Sequence, residues 1–407
     1  MDQIRKLQTI APQMVLEPDA EIGSGVKQAR SKLILPNSAD VGSTPSVAPC
    51  GIPLQQSKKR ESLGVYDAAV SGRPMRLLKT MLTTACERNC HYCPFRAGRN
   101  YRRTTFKPEE MASTFIDLNR KRAVDGLFLS SGIIRGGVRT QDKLLDTVDI
   151  LRNKHKFRGY IHLKVMPGAE RDQVVRAMQL ADRVSVNMEA PTVEHLRFLA
   201  PMKQLVDELL APLRWADEIR RYQSPRGAWN GRWASTVTQF VVGAAQDTDL
   251  EYLKATDYLY NKIGLRRTYY SAFHPIRNTP LDNLPAENPV REHRLYQASF
   301  MLRDYGWQME DLPFEQNGRL PLNVDPKLAW ARQNLAHKPL ELNRASKHEM
   351  LRVPGIGVKS AETIISARRK GKIRSLHHLR QLGVATKRLT DFVLLDGVQP
   401  AQQLRLF

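Results

Sequence analysis

Three of the four cysteines of this chain fall within eight residues, in Cys86-Glu87-Arg88-Asn89-Cys90-His91-Tyr92-Cys93. That C-x3-C-x2-C spacing asks for a metal, because clustered thiolates in a reducing compartment are ligands for iron–sulfur clusters or zinc. The apolar run Leu77 to Leu82 precedes it and reads as a strand that delivers the thiols into a loop. Three thiolates suit three irons of a 4Fe–4S cubane and leave the fourth iron free. Zinc, with Cys50 or His91 as fourth ligand, is the alternative, although zinc ligands usually come as separated pairs. Cys50 itself, in Ala48-Pro49-Cys50-Gly51, reads as an ordinary free thiol, with an extra ligand or hydrogen donor as the other reading.

Charge bears on the partner. Sixty-three Lys and Arg against forty-one Asp and Glu give a net +22 over 407 residues, a balance that fits a polyanion better than a neutral metabolite. Four cysteines exclude a disulfide framework and fit a reducing compartment. No long apolar run suggests a membrane span and the amino terminus lacks a secretory pattern, so the expectation is a cytoplasmic protein with no membrane partner.

Residues 1–61 mix Pro, Ser, Gly and charge and read as an extended, partly disordered arm. From residue 62 to 312 short β-branched or apolar runs alternate with amphipathic ones, the pattern of a parallel β/α architecture. The predicted strands are Leu77 to Leu82, Gly126 to Ser130, Tyr160 to Val165, Arg183 to Asn187, Thr236 to Val242 and Thr268 to Phe273. Helices are predicted to begin near Pro108, Thr140, Ala169, Pro191 and Asp247. Residues 313–340 read as a linker. Residues 341–407 read as a small all-α domain: a helix over Ala345 to Leu351, a tight turn at Val353-Pro354-Gly355-Ile356-Gly357-Val358, and a second helix over Lys359 to Arg369. Glycines at 355 and 357 are expected to let backbone N–H groups face outward beside the positive end of the second helix, with Lys359 adding a cation; this is a phosphate site without sequence preference. From Lys338 to Phe407 there are 14 Lys and Arg against 5 Asp and Glu. A second, degraded turn of the same kind is read at Leu382 to Arg388.

The cysteine spacing, with Tyr92 directly before the last cysteine, resembles the cluster motif of the radical S-adenosylmethionine (SAM) enzymes. The order of Gly126 to Gly132, Gly159 to Lys164, Ser185 to Pro191 and Arg352 to Gly357 resembles, over residues 62 to 395, the DNA modification/repair radical SAM proteins that end in a helix-hairpin-helix. The resemblance implies a partial (βα)6 TIM-like barrel followed by that hairpin domain. It implies a 4Fe–4S cluster on Cys86, Cys90 and Cys93, and SAM cleaved to a 5'-deoxyadenosyl radical. Ser130, Ser131 and Gly132 stand where the superfamily has a Gly-Gly-Glu-like element that receives the SAM amine, here without the glutamate. Asn187 and Glu189 resemble a ribose-binding pair, or else a turn and a helix cap. Gly243, in Gln239 to Gln246, lies in an element similar to the one beside the adenine. Lys164 is read as meeting the SAM carboxylate or a substrate phosphate, or as a solvated lysine. Gly355, Ile356, Gly357 and Lys359 would bind nucleic acid, DNA foremost. An electron donor and another DNA repair protein are the further partners implied. The alternatives are an RNA-modifying radical SAM enzyme and a non-catalytic iron–sulfur or zinc DNA-binding protein.

Overall fold

The computed structural model describes residues 2–14, 62–70 and 73–400. The backbone forms two compact units, Met1–Phe240 with Ile263–Pro285, and Val241–Lys262 with Ala286–Phe407. Cys50 and most of the predicted arm lie outside the described residues.

The first unit is built on a seven-stranded sheet whose strands lie side by side in chain order. These are β1 (Val65–Val70), β2 (Arg73–Met81), β3 (Gly126–Ser130), β4 (Tyr160–Lys164), β5 (Arg183–Ser185), β6 (Ser235–Val242) and β7 (Arg267–Ala272). From β2 to β6 each neighbour is parallel. The connections carry α2 (Pro108–Arg120), α3 (Gly137–Asp149), α4 (Arg171–Leu180), and α5 (Val193–Leu199) with α6 (Ala211–Tyr222). This is the partial, open barrel expected, because strands joined through helices in sequential order wind into a barrel wall. Every residue of β3 is buried, as in a parallel sheet covered on both faces. The helix starts follow their chemistry: α2 opens with Pro108 and carries Glu109 and Glu110 in its first turn, where the fixed φ of proline and the unpaired N–H groups favour those residues.

Two features depart from the sequence reading. The strand β1, antiparallel to β2 from Val65↔Leu78 to Val70↔Arg73, is not among the predicted strands. Residues 3–14, assigned to an extended arm, instead form a helix, α1 (Gln3–Met14). Its Leu7, Ile10, Ala11 and Met14 are almost fully buried; this is one helical face at i, i+3, i+4 and i+7, a periodicity that Pro12 obscures. Lys6 fixes the helix to the barrel by an ion pair with Glu110 at 2.6 Å and a hydrogen bond to the Thr105 carbonyl at 2.9 Å.

The second unit contains α7 (Asp249–Ile263), which returns its last residue to the first, α8 (Pro289–Tyr305) and α9 (Pro326–Asn334). The Arg291 guanidinium, 1 % exposed, joins α8 to the start of α7 through Asp247, Asp249 and Glu287. Short helices follow: α10 (Lys347–Met350), α11 (Val358–Arg368) and α12 (Leu376–Gln381). They enclose a core that includes Leu342, Val353, Ile364, Leu379 and Leu389. A two-residue ribbon, β8 (Leu340–Glu341) with β9 (Val393–Leu394), closes it.

Candidate functional site

Leaving β2, the chain enters a long loop that holds the cysteines before α2 begins. The end of β3 clamps it: the N–H of Gly132 donates to the Thr83 carbonyl at 2.7 Å, and that of Glu87 to the Ile133 carbonyl at 2.8 Å. A Cβ on Gly132 would lie 2.1 Å from the Ala85 carbonyl oxygen. Only glycine fits there, and the close neighbour is the cysteine loop itself, where the sequence reading expected a ligand. Arg103 fixes the other side. Its guanidinium donates to the carbonyls of Thr84, Phe95, Arg96 and Arg99 at 2.7–3.1 Å and lies over the Tyr101 ring. Arg88 pairs with Glu208 at 2.6 Å and reaches the Met202 carbonyl, and the His91 N–H donates to Leu199 at the end of α5.

The loop and the carboxyl ends of β3, β4, β5 and β6 line a cavity that opens to solvent. Cys86, Cys90 and Cys93 all line it, with Tyr92 between them. So do Ser130, Ser131 and Gly132 from the end of β3, Lys164 from β4, and Asn187 and Glu189 beyond β5. Lys164 is 8 % exposed, which removes the solvated-lysine reading. Gly243 is not among the lining residues. It belongs to the second unit, where its N–H donates to Asp247 at 3.0 Å and a Cβ would meet Glu287 Oε2 at 2.2 Å.

Gln239, the first residue of the element read as lying beside the adenine, lines the cavity, and so do Lys203 and Arg88, which were not read as site residues from the sequence. Lys203 carries the main consequence: its ammonium donates to Glu189 Oε1 at 2.7 Å, with side-chain exposures of 10 % and 3 %. Glu189 stands at φ +63°, a backbone region rare for a side-chain-bearing residue, and its carboxylate also faces the Tyr92 hydroxyl, with Oε2 making no close hydrogen bond. Burial works to lower the Lys203 pKa, yet Glu189 and the neighbouring thiols hold it above the ordinary lysine range.

Burial pushes the thiols of Cys90 and Cys93 up from their ordinary pKa, so a cation in place of the proton is what would make them thiolates here. Two N–H groups already point at sulfur: Ile133 to Cys86 Sγ and Phe95 to Cys93 Sγ, each at 3.4 Å, as around iron–sulfur centres. Among the described residues no three His, Cys, Asp or Glu converge as ligands of a single ion do; a cubane places each thiolate on a different iron. The buried Glu189 carboxylate, facing Lys203 and the Tyr92 hydroxyl, likewise fits a ligand that brings a donor to Oε2. The residues present therefore fit a three-cysteine cluster with a polar small molecule beside it.

The predicted C-terminal turn is present between α10 and α11. Gly355 has φ +88°, and a Cβ there would meet the Ala385 carbonyl at 3.3 Å and Arg388 Cβ at 3.4 Å, so the segment read as a second turn packs on the first. Gly357 is ordinary extended backbone, with φ −102° and ψ −179°, and does not need glycine for its conformation as the sequence reading held. Nor does Ile356 present itself to a ligand. It is 1 % exposed, its N–H donates to the Val353 carbonyl, and its own carbonyl accepts from Lys327 Nζ at 2.6 Å. Lys359 is exposed in the first turn of α11, whose cap position, Gly357, offers no side-chain acceptor.

No helix among the described residues is long and apolar enough to cross a membrane. Residues 80–221 match the family model described as Radical SAM superfamily. No curated protein matches the chain. Among solved structures, methylornithine synthase (PylB) is similar at 14 % identity and TM-score 0.44, over 57 % of this chain and 63 % of that one. The FeFe-hydrogenase maturase HydG from Carboxydothermus hydrogenoformans is similar at 16 % identity and TM-score 0.43, over 56 % and 51 %. This chain thus spans less than two thirds of the length of either. The cofactors of the matched family are a 4Fe–4S cluster and SAM, and Cys86, Cys90 and Cys93 lie inside the match. Motif, partial barrel and family match together identify residues 80–221 as a radical SAM superfamily domain.

Proposed function

We propose that this protein is a radical SAM enzyme that modifies or repairs nucleic acid, DNA foremost. The observation that carries the first half is the convergence of Cys86, Cys90 and Cys93 with Glu189 and Lys203 on one cavity at the carboxyl ends of the strands. Bound there, the cluster would supply an electron to SAM, whose cleavage gives methionine and a 5'-deoxyadenosyl radical able to take a hydrogen atom from a substrate. The three cysteines would hold the cluster, and the N–H groups of Ile133 and Phe95 would stabilise the negative charge on their sulfurs. Glu189, with one oxygen committed to Lys203, has the other available to a hydroxyl or ammonium of the small molecule. Lys164, buried on the same cavity, would receive a carboxylate or phosphate, with Lys203 holding Glu189 beside it. The apolar side chains of Met81, Ile133 and Met166 on the same wall keep water from a reactive intermediate.

Nucleic acid is supported by the second unit: a left-handed Gly355 turn, a helix start without side-chain cap and an exposed Lys359, in a tail that is strongly basic. A base held in a duplex would have to leave the stack to reach the cavity, at a cost of a few kcal/mol. The test is 5'-deoxyadenosine release by anaerobically reconstituted protein with SAM and a strong reductant, with and without DNA or transfer RNA. Release stimulated by DNA is expected. Stimulation by transfer RNA alone would move the substrate to RNA, and no release from protein with an intact cluster would leave a structural iron–sulfur protein.

A further inference from the structure

Lys203 is held beside the cysteine loop by contacts on both of its own flanks. Arg88, which stands between the first two cysteines, reaches the Met202 carbonyl and pairs with Glu208 at 2.6 Å. Glu208 in turn accepts from the Gln204 N–H at 2.9 Å. The residues before and after Lys203 are thus tied to one arginine–glutamate pair, and that pair begins in the cysteine loop. Two more hydrogen bonds close the arrangement: the His91 N–H donates to the Leu199 carbonyl at 2.7 Å, and the Lys203 N–H to the Ala200 carbonyl at 2.9 Å. Beyond Gln204 the backbone winds as a π-helix over Leu205–Leu210, a rare wide turn that recurs at functional sites, and this turn presents Glu208.

The side chain is fixed as firmly as the backbone. Its ammonium lies 2.7 Å from Glu189 Oε1, and both residues line the cavity together with the three cysteines. The two ends of the pair face different neighbours. The carboxylate faces the Tyr92 hydroxyl, whereas the ammonium faces Cys90 and Cys93 and acts on Cys90 more strongly than the carboxylate does. A buried ion pair oriented in this way is a dipole with its positive end toward the thiols, and burial leaves it little screened by water or salt.

Reduction adds negative charge to a centre already surrounded by thiolates, and the local net charge is one of the means by which a protein sets a cluster's potential. We propose that Lys203 is a positioning residue of the cluster site: it turns the positive end of its pair with Glu189 toward Cys90 and Cys93, and so raises the midpoint potential at which the cluster takes up an electron. This role rests on the radical SAM reading above. Arg88 and Glu208 serve it by holding the backbone on either side of the lysine.

The test is redox titration of the anaerobically reconstituted full chain, followed by the electron paramagnetic resonance signal of the reduced cluster, with iron content and melting temperature measured beside it. Lys203→Met removes the positive end and leaves the carboxylate. Its cluster should be about tenfold less reduced at a given potential, a downward shift of about 59 mV for one electron. Glu189→Gln removes the opposing charge and should shift the midpoint upward. The double variant Lys203→Met/Glu189→Gln, which buries no unpaired charge, should fall between the parent and Lys203→Met, and Lys203→Arg should stay with the parent. A lysine that only props the loop would lower iron content and melting temperature in Lys203→Met and leave the midpoint of the remaining clusters where it was; that result would overturn the inference. A higher midpoint in Lys203→Met would overturn it as well. If Lys203→Met holds no cluster, the order Glu189→Gln above parent above double variant supports the inference and any other order overturns it. A parent chain that takes up no 4Fe–4S cluster would overturn the radical SAM reading together with it.

Discussion

Gly132 and Ala85 touch backbone to backbone: a Cβ on Gly132 would lie 2.1 Å from the Ala85 carbonyl oxygen and 3.2 Å from Cys86 Cβ. The end of one strand thereby sets the height of the loop that begins on its neighbour, and with it the place of the first cysteine.

Gly132→Ala should therefore act on the metal site before it acts on anything else. A methyl group cannot displace a backbone carbonyl cheaply; overpacking of this kind costs about 1–3 kcal/mol. The expected result is a folded protein with a lower melting temperature and several-fold less iron and sulfide after reconstitution. Iron content equal to the parent protein would refute the clamp.

Lys203 and Glu189 should behave as a coupled pair. Lys203→Met leaves a carboxylate buried without its cation, which costs about 3–5 kcal/mol, and Glu189→Gln leaves a buried ammonium in the same position. The double variant should recover much of that loss, since it removes both charges together. Denaturant unfolding of the apo proteins as a double-mutant cycle measures the coupling; additive losses would mean that the two side chains act independently.

A pH dependence follows from Lys327, on α9. Burial lowers its pKa from 10.5 to about 7, with Asp325 raising it and Arg388 lowering it further. The unfolded chain then holds this proton up to about pH 10.5 while the folded chain releases it near 7. Stability contributed by this residue is thus lowest below pH 7 and rises with pH between those values, by at most about 1.4 kcal/mol per pH unit. Unfolding free energy of the parent chain minus that of Lys327→Met, followed from pH 6 to 10, should climb. A flat difference would show that the ammonium is not penalised in the fold.

The two glycines of the C-terminal turn should separate under substitution. Gly355→Ala places a side chain at φ +88° against the Ala385 carbonyl, at a cost of about 1–2 kcal/mol for the backbone alone. At Gly357 the backbone is extended, and a Cβ would meet only the Tyr305 hydroxyl, at the ordinary contact distance of 3.5 Å. Gly357→Ala should cost less, the roughly 0.5–1 kcal/mol of replacing a glycine cap by alanine. Equal losses would mean that both positions are set by packing.

The barrel was legible because the parallel strands are short apolar runs and most of the helix starts between them carry proline or acid, α3 excepted. The six predicted strands match β2 to β7 to within a few residues at either end. The cysteines were legible from spacing alone. Lys203 was not: it stands between Met202 and Gln204 with no motif around it, and only the fold turns it inward to Glu189. The role of Gly132 escaped for a similar reason, since a glycine after a strand announces a close approach without saying to what. Gly243 shows the converse, a glycine with φ +93° whose neighbour is the Glu287 side chain of its own unit. β1 was missed because Asp67 interrupts its apolar run, and α1 because Pro12 sits inside its last turn.

The docking of α1 also sets the terms on which the residues after it are carried. A Cβ at Gly64, just before β1, would lie 3.6 Å from Cβ of Ala11, so the chain departs from and returns to a single spot on the barrel. The helix is held to the barrel by Leu7, Ile10 and the Lys6–Glu110 pair, so its seat is made by its own side chains and not by the residues that join it to β1.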